Sequence, residues 1–160
     1  MDRCVEVLVE VHAADDYPLL WPTDPSGWLS PANLLVAWVA EEKDGRLIGH
    51  VELCAAVGDP AASVWSAASG HPSERLVVVA KLFISPRARG RGLGASLLAT
   101  ACTEARRLEL LPALEVLDHN RSAIALYERT GWRRVASVPA PWAQTAEGEA
   151  MLLHYYLAPA

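Results

Sequence analysis

LVVVAKLFISPRARGRGLGASLLATACTEARRLEL, residues 76–110, passes from strand formers through a Gly- and Arg-rich turn into a helical pattern. Val77, Val78 and Val79 with Leu82, Phe83 and Ile84 are β-forming residues. Pro86 stops the strand, because it has no N–H to give to a ladder. After Arg89-Gly90-Arg91-Gly92-Leu93-Gly94, the apolar positions Leu93, Leu97, Ala101, Ala105 and Leu108 recur at helical spacing. A helix N-terminus exposes unpaired N–H groups and the positive end of its dipole, and glycines let an anion approach the backbone closely. Arg87, Arg89 and Arg91 add positive charge at the same place. The stretch therefore reads as a seat for phosphate.

The chain has 160 residues, 52% hydrophobic and 21% charged, which fits one ordinary globular domain over residues 1–160. No apolar run is long enough to span a membrane, and the N-terminus has no basic start followed by an apolar block. A cytoplasmic protein with no membrane partner is the expectation. Cys4, Cys54 and Cys102 are odd in number and scattered, which favours buried thiols over disulfides or zinc, and no metal site is expected. The net charge of −5 argues against a nucleic-acid partner. Its distribution is uneven. Residues 1–74 hold 12 acidic and 3 basic residues, whereas residues 75–160 hold 7 acidic and 11 basic. That asymmetry reads either as scattered solubility charge or as one face for a polyanion and another for a cationic partner.

Outward from the central stretch, Cys4–Val11 alternates, with Val5, Val7, Val9 and Val11 opposite Glu6, Leu8 and Glu10, and predicts a half-buried edge strand. Residues 12–33 hold four prolines and predict only short helical turns around Asp15–Leu20 and Pro25–Leu29. Tyr17, Trp21 and Trp28 in that segment are candidates for a substrate wall. Leu34–Glu41 and Leu47–Val57 predict a hairpin through Asp44-Gly45, with His50 and Glu52 on one face of the second strand. Gly58–Arg75 reads as a loop. Beyond Pro112 come a strand at Leu114–Leu117, a helix at Ser122–Thr130, a strand at Trp132–Val138, a loop at Pro139–Gly148 and a last strand at Met151–Leu157. The sum is a mixed α/β sheet of six to seven strands, mostly antiparallel, with helices on both faces.

Three anion-binding patterns compete for the glycines. A Walker A loop needs a Lys that is absent. Gly90, Gly92 and Ala95 fit the dinucleotide pattern Gly-x-Gly-x-x-Ala, with Asp118 closing a strand further on, which would imply NAD(P). Against it, Ser85–Arg89 intervenes between strand and turn, and too little chain follows Asp118 to complete a doubly wound sheet. Third, LFISPRARGRGLGASLL resembles the signature of the GNAT superfamily of acyl-CoA-dependent N-acyltransferases, whose core Arg/Gln-x-x-Gly-x-Gly/Ala is matched by Arg89, Gly92 and Gly94. Asn120, Ala123, Leu126, Tyr127, Gly131 and Trp132 are similar to its segment Asn-x-x-Ala-x-x-Leu-Tyr-x-x-x-Gly-Phe/Trp, and Asp44–Gly49 to its strand hairpin. The likeness runs over about residues 34–138 in the family's order.

The resemblance implies a single GNAT-like domain that transfers acetyl from acetyl-CoA to a primary amine by direct attack on the thioester. It implies pyrophosphate on the backbone of Arg89, Gly90, Arg91, Gly92, Leu93, Gly94 and Ala95. The pantetheine arm would lie along Leu82, Phe83 and Ile84 as an added strand, with Asn120 and Tyr127 also contacting the cofactor. Tyr127 stands where the family's general acid stands. Many relatives carry a basic Glu where this chain has Val78, so the base must come from elsewhere. Glu74 is the first choice, with His71, His50 and Glu52 as substitutes, and His50 and Glu52 are also candidates to line the acceptor site. Lys81 reads as an ion-pair partner or a pocket residue. The acidic first half suits a cationic amine, a small molecule before a peptide or protein amine. A non-catalytic acyl-CoA sensor is the alternative of a different class, and a homodimer stays open. With 12 Arg against 2 Lys, the composition suggests a bacterial source of high GC content.

Overall fold

The computed structural model describes residues 2–160. In chain order its elements are α1 (Asp2–Asp15), α2 (Pro25–Trp28), β1 (Leu34–Glu41), β2 (Leu47–Ala55), α3 (Ala62–Ser69), β3 (Leu76–Ile84), α4 (Leu93–Arg107), β4 (Leu111–Leu117), α5 (Arg121–Arg129), β5 (Arg133–Gln144) and β6 (Ala150–Leu157), with 3-10 turns at Ser73–Arg75 and Pro86–Ala88. The strands form one six-stranded sheet in the order β1-β2-β3-β4-β6-β5. The pairs β1–β2, β4–β6 and β5–β6 are antiparallel, and β3–β4 is parallel. This is the mixed, mostly antiparallel sheet expected from the sequence, and it is not the parallel doubly wound sheet that a dinucleotide fold requires.

The chain separates into two compact units. One takes the chain up to Cys54 together with Val79–Glu104, and the other takes Ala55–Val78 with Ala105–Ala160. The division falls inside β3.

In the first unit, the β1–β2 hairpin turns at Gly45, whose φ of +81° suits glycine, and Glu42 and Arg46 close it by a backbone bond of 2.9 Å. β2 runs close to the end of β3. The Ser85 amide donates to the Ile48 carbonyl at 2.8 Å, and a Cβ on Gly49 would stand 2.7 Å from Ile84 Cδ1 and 3.3 Å from the Phe83 carbonyl. The predicted strand at Cys4–Val11 is instead the middle of helix α1. The same segment carries two periods. Val5, Val7, Val9 and Val11 alternate, but Cys4, Val7, Leu8 and Val11 also recur at helical spacing, and the second set is the one that packs. Leu8, assigned to the polar face of a strand, is fully buried. Val7, Leu8 and Val11 join Leu29, Leu47 and Phe83 in one cluster, and each such burial contributes about 1.5–3 kcal/mol as an upper estimate. Of the two short turns predicted in residues 12–33, the second forms as α2. Asp24 caps it by accepting from the Gly27 amide at 3.0 Å, and Pro25 sits at its first turn. Asp15–Leu20 holds the end of α1 followed by bends.

In the second unit, β6 lies between β4 and β5. The segment read as a loop contains α3, whose Trp65 is fully buried and meets Tyr155 edge to face at 5.9 Å. A run of Ala and Ser around one Trp has no apolar period to read, and the helix forms because Trp65 anchors it. β4 starts three residues earlier than predicted and includes Pro112. Pro112 is the second residue of the strand, stands opposite Val77 of β3, and accepts from the Ala158 amide at 2.9 Å through its carbonyl. β5 likewise continues through Pro139 into the predicted loop, as an edge strand of the sheet. On α5, Leu126 and Tyr127 are buried, and Thr130 Oγ1 donates to the Leu126 carbonyl at 2.7 Å.

Candidate active site

The glycine turn and the helix after it form as the sequence indicates. Gly90 and Gly92 take φ of +75° and +74°, and nothing lies within 4 Å of where a Cβ would stand on either. The loop is open on that side and leads into α4, a helix of 15 residues. Positive-φ glycines at the N-terminus of a long helix fit a phosphate group without steric conflict. Arg89 to Ala95 is therefore an open, glycine-containing turn with room for an anion against its backbone.

The arginine side chains have a different job from the one charge alone suggested. Arg87 pairs with Glu10 at 2.5 Å, and Ser85 Oγ donates to the other oxygen of Glu10 at 2.8 Å. Arg89 forms a two-pronged pair with Asp15, one prong at 3.0 Å, and also donates to the Ile84 carbonyl at 3.3 Å. Arg91 pairs with Glu42 at 2.9 Å and donates to the Arg87 carbonyl at 3.3 Å. The loop is thus braced against α1 and the hairpin. Three acids of the first half of the sequence, Glu10, Asp15 and Glu42, are the partners of these arginines.

On β2 and β3, in the same unit, a second group assembles. Glu52 has no exposed surface. Its Oε1 pairs with Lys81 Nζ and accepts a weak contact from Cys54 Sγ at 3.6 Å. Its Oε2 has no hydrogen-bond partner. His50 Nδ1 stands 2.9 Å from the Lys81 carbonyl, which can only accept, so Nδ1 carries the proton. Burial holds the His50 imidazole below its ordinary pKa, outweighing the Lys81 carbonyl and the Glu52 carboxylate, which act the other way. A neutral ring with Nδ1 protonated presents Nε2 as an acceptor, and Nε2 lies 3.9 Å from the unpartnered Glu52 oxygen. His50 stacks on Phe83 at 5.0 Å and 17°. Lys81 Nζ lies 4.9 Å above the Trp28 ring, and Tyr17 meets Trp28 at 6.2 Å and Phe83 at 6.4 Å.

Lys81 takes φ of +50°, unusual for a residue with a side chain, and stores about 1–3 kcal/mol of strain in the middle of β3. The recorded β3–β4 pairs run over Leu76–Val78, before this break.

Of the candidate residues, then, Tyr17, Trp28, His50, Glu52 and Phe83 come together around Lys81. Trp21 does not join them and lies against His12 at 5.1 Å. Glu74 is exposed on a 3-10 turn, where its recorded contact is with Ser73 at 3.4 Å. Asn120 and Tyr127 belong to the second unit. Asn120 stands at the N-cap of α5 without using its side chain as a cap. Tyr127 packs at 6.0 Å from Trp132 and 6.1 Å from Tyr156, and burial with the neighbouring Tyr156 pushes its phenol above the ordinary range. Beyond it, Glu128 accepts from Tyr156 Oη and from Arg134, both at 2.9 Å. Glu10, Asp15 and Glu42 were missed in the sequence, since no local spacing links them to the arginines they hold. Among the described residues no group of three or more His, Cys, Asp or Glu could hold a metal, and no helix is long and apolar enough to cross a membrane.

A mixed, mostly antiparallel sheet with an open glycine turn leading into a helix defines the class of α/β fold. The chain belongs to the acetyltransferase (GNAT) family, whose sequence model matches residues 6–132. It is similar to the mycothiol acetyltransferase of Acidothermus cellulolyticus, 34% identical over 107 residues, 66% of this chain but 31% of that protein. The chain therefore spans about a third of the length of this curated relative. Among solved structures, one described as a candidate phosphinothricin N-acetyltransferase superposes with a TM-score of 0.72 at 21% identity, covering 99% of this chain and 93% of that one. A candidate streptothricin acetyltransferase from Bacillus anthracis, solved with acetyl coenzyme A, gives 0.62 at 15% identity, covering 82% and 65%. At such identities the structural likeness speaks for the fold.

Proposed function

We propose that the protein is an N-acetyltransferase that moves an acetyl group from acetyl-CoA to a small-molecule amine. Family membership supports the reaction class. The observation that carries the reading for this chain is the buried Glu52 carboxylate, one oxygen unpartnered, beside a neutral His50 on the strand next to β3. It supplies the base that Val78 does not. We prefer Glu52 to Glu74 because a buried carboxylate next to an acceptor nitrogen is placed to take a proton, whereas Glu74 faces water.

Acetyl-CoA would supply the activated acyl group, seated on Arg89–Ala95 and along Leu82–Ile84, with Asn120 as a further contact. Glu52 takes a proton from the acceptor's ammonium by way of His50 Nε2. The freed nitrogen lone pair forms the C–N bond as the C–S bond breaks. An N–H at Leu82 or Phe83 stabilises the carbonyl oxygen as it gains charge. Tyr127, protonated at every physiological pH, gives its proton to the departing sulfur, and the second proton of the attacking nitrogen passes to the phenolate so formed, leaving the amide, the free CoA thiol and a protonated Glu52.

The test is thiol release from acetyl-CoA across a panel of amines. Release that depends on the amine supports the enzyme. No release with any amine, despite stabilisation by acetyl-CoA, would replace it with an acyl-CoA sensor.

A further inference from the structure

We infer that the acceptor is an amino acid, bearing a carboxylate beside its amine, and that Lys81 holds that carboxylate; this rests on the acyl-transfer reading above. The expectation of a plain cationic amine came from the acid-rich first half of the chain. The structure gives several of those acids basic partners of their own. Glu10, Asp15 and Glu42 face the loop arginines, and Glu52, the acid left in the interior, is already matched by Lys81.

Charge balance carries the first part of the argument. Glu52 and Lys81 sum to zero and His50 is neutral, so a simple cation would bring an uncompensated charge among buried aromatic rings. The imbalance deepens during the reaction. Once Glu52 has taken the proton of the amine, its charge is gone and the Lys81 ammonium has lost its counter-ion. An acid group on the acceptor restores the balance at that step.

Geometry carries the second part. Glu52 Oε2 and His50 Nε2 are two acceptors 3.9 Å apart, and Oε2 is buried without a donor. Glu52 has no exposed surface, so an amine meets His50 Nε2, which passes the proton on to Oε2. Next to His50, Lys81 Nζ has two N–H groups beyond the one facing Glu52, and its side chain keeps 13% of its surface exposed. An acceptor for an amine adjoining a donor for an anion is the complement of a group with both on one carbon. Trp28 and Tyr17 supply an apolar wall for the rest of the molecule. The left-handed backbone at Lys81 fits a residue whose side-chain direction matters more than its strand geometry.

The experiment measures thiol release with the common L-amino acids, their α-carboxamides and the corresponding amines without the carboxylate. The expected result is kcat/KM at least 30-fold higher for the free acid than for its amide or amine. Lys81→Met should bring the ratio of acid to amide kcat/KM down to about one, whatever it does to the absolute rates, and Lys81→Arg should keep part of the preference. Wild-type preference for amides or for a polyamine such as spermidine overturns the inference, whatever the variants do. So does an unchanged acid-to-amide ratio in a folded Lys81→Met protein. If no compound supports turnover, thermal stabilisation is read with CoA present. A shift with acids but not amides, lost in Lys81→Met, keeps the inference while the acyl-transfer reading falls. No shift with either overturns the inference.

Discussion

Asp15, the last residue of α1, grips Arg89 of the phosphate loop with both carboxylate oxygens across 74 positions of sequence. The same guanidinium holds the Ile84 carbonyl, so one contact ties helix, strand end and loop together. Both partners are partly in water, and such a pair contributes roughly 0.2–1 kcal/mol. Asp15→Asn should therefore raise the KM for acetyl-CoA about two- to fivefold with kcat nearly constant. Steady-state kinetics at low and high salt checks this, and an unchanged KM would mean that the brace does not shape the seat.

Glu52 and Lys81 form a buried pair, and removing one partner strands the other charge. Glu52→Gln and Lys81→Met should each destabilise the fold by about 3–5 kcal/mol, and the double variant should recover much of that loss. Urea unfolding of the four proteins reads the coupling. At saturating substrates Glu52→Gln should also lower kcat by about 10²-fold or more, with acetyl-CoA binding intact. Equal turnover in Glu52→Gln would move the base elsewhere.

Tyr127→Phe keeps the ring that packs against Trp132 and Tyr156 and deletes the hydroxyl. We expect kcat to fall about 10²-fold while the Kd for CoA barely moves. Wild-type turnover in this variant would remove Tyr127 from the chemistry.

Glu115 has its carboxyl pushed up to about 7, by desolvation first and by the Asp59 carboxylate second. Folding then raises its affinity for a proton, so the native state binds more protons than the unfolded chain between its ordinary value and about 7. Stability falls as pH rises through that window, and the penalty is complete above it. The residue keeps much of its surface in water, so the effect is smaller than the shift alone implies. Glu115→Gln should raise Tm at pH 8 and change it little at pH 4. A calorimetric series over that range gives the answer, and a gain at acid pH alone would contradict the sign.

Trp65 is fully buried and its indole N–H has no partner. Trp65→Ala should cost about 3–5 kcal/mol, since it opens the largest possible void under α3. Trp65→Phe should cost far less, because it removes the unmatched donor together with some volume. Denaturant midpoints of the two variants give the comparison.

Wherever local pattern and long-range packing agreed, the architecture could be read in advance. The β1–β2 hairpin, the glycine turn and α4 each carry a turn residue or a single clear period. α1 was misread because Val5 to Val11 satisfies two periods, and only contact with Leu29, Leu47 and Phe83 selects the helical one. α3 has no period, and its reason for folding is a single Trp. In the site, the glycine turn and the group Tyr17, Trp28, His50 and Glu52 were legible as residue types. Lys81 was legible only as an ion-pair partner or a pocket residue, and its exact place was not, because a positive φ inside a strand has no signature in a lysine. Nor was the fate of the loop arginines, whose partners lie 49 to 77 positions away.

The prolines of β5 matter beyond their effect on prediction. β5 is the outermost strand on its side, and Pro139 and Pro141 leave it two places with no N–H to offer a newcomer. An extended segment from another molecule, approaching that margin in a crowded solution, finds an interrupted template. The same residues that ended the strand in a reading of the sequence keep the sheet from growing into an aggregate along that side.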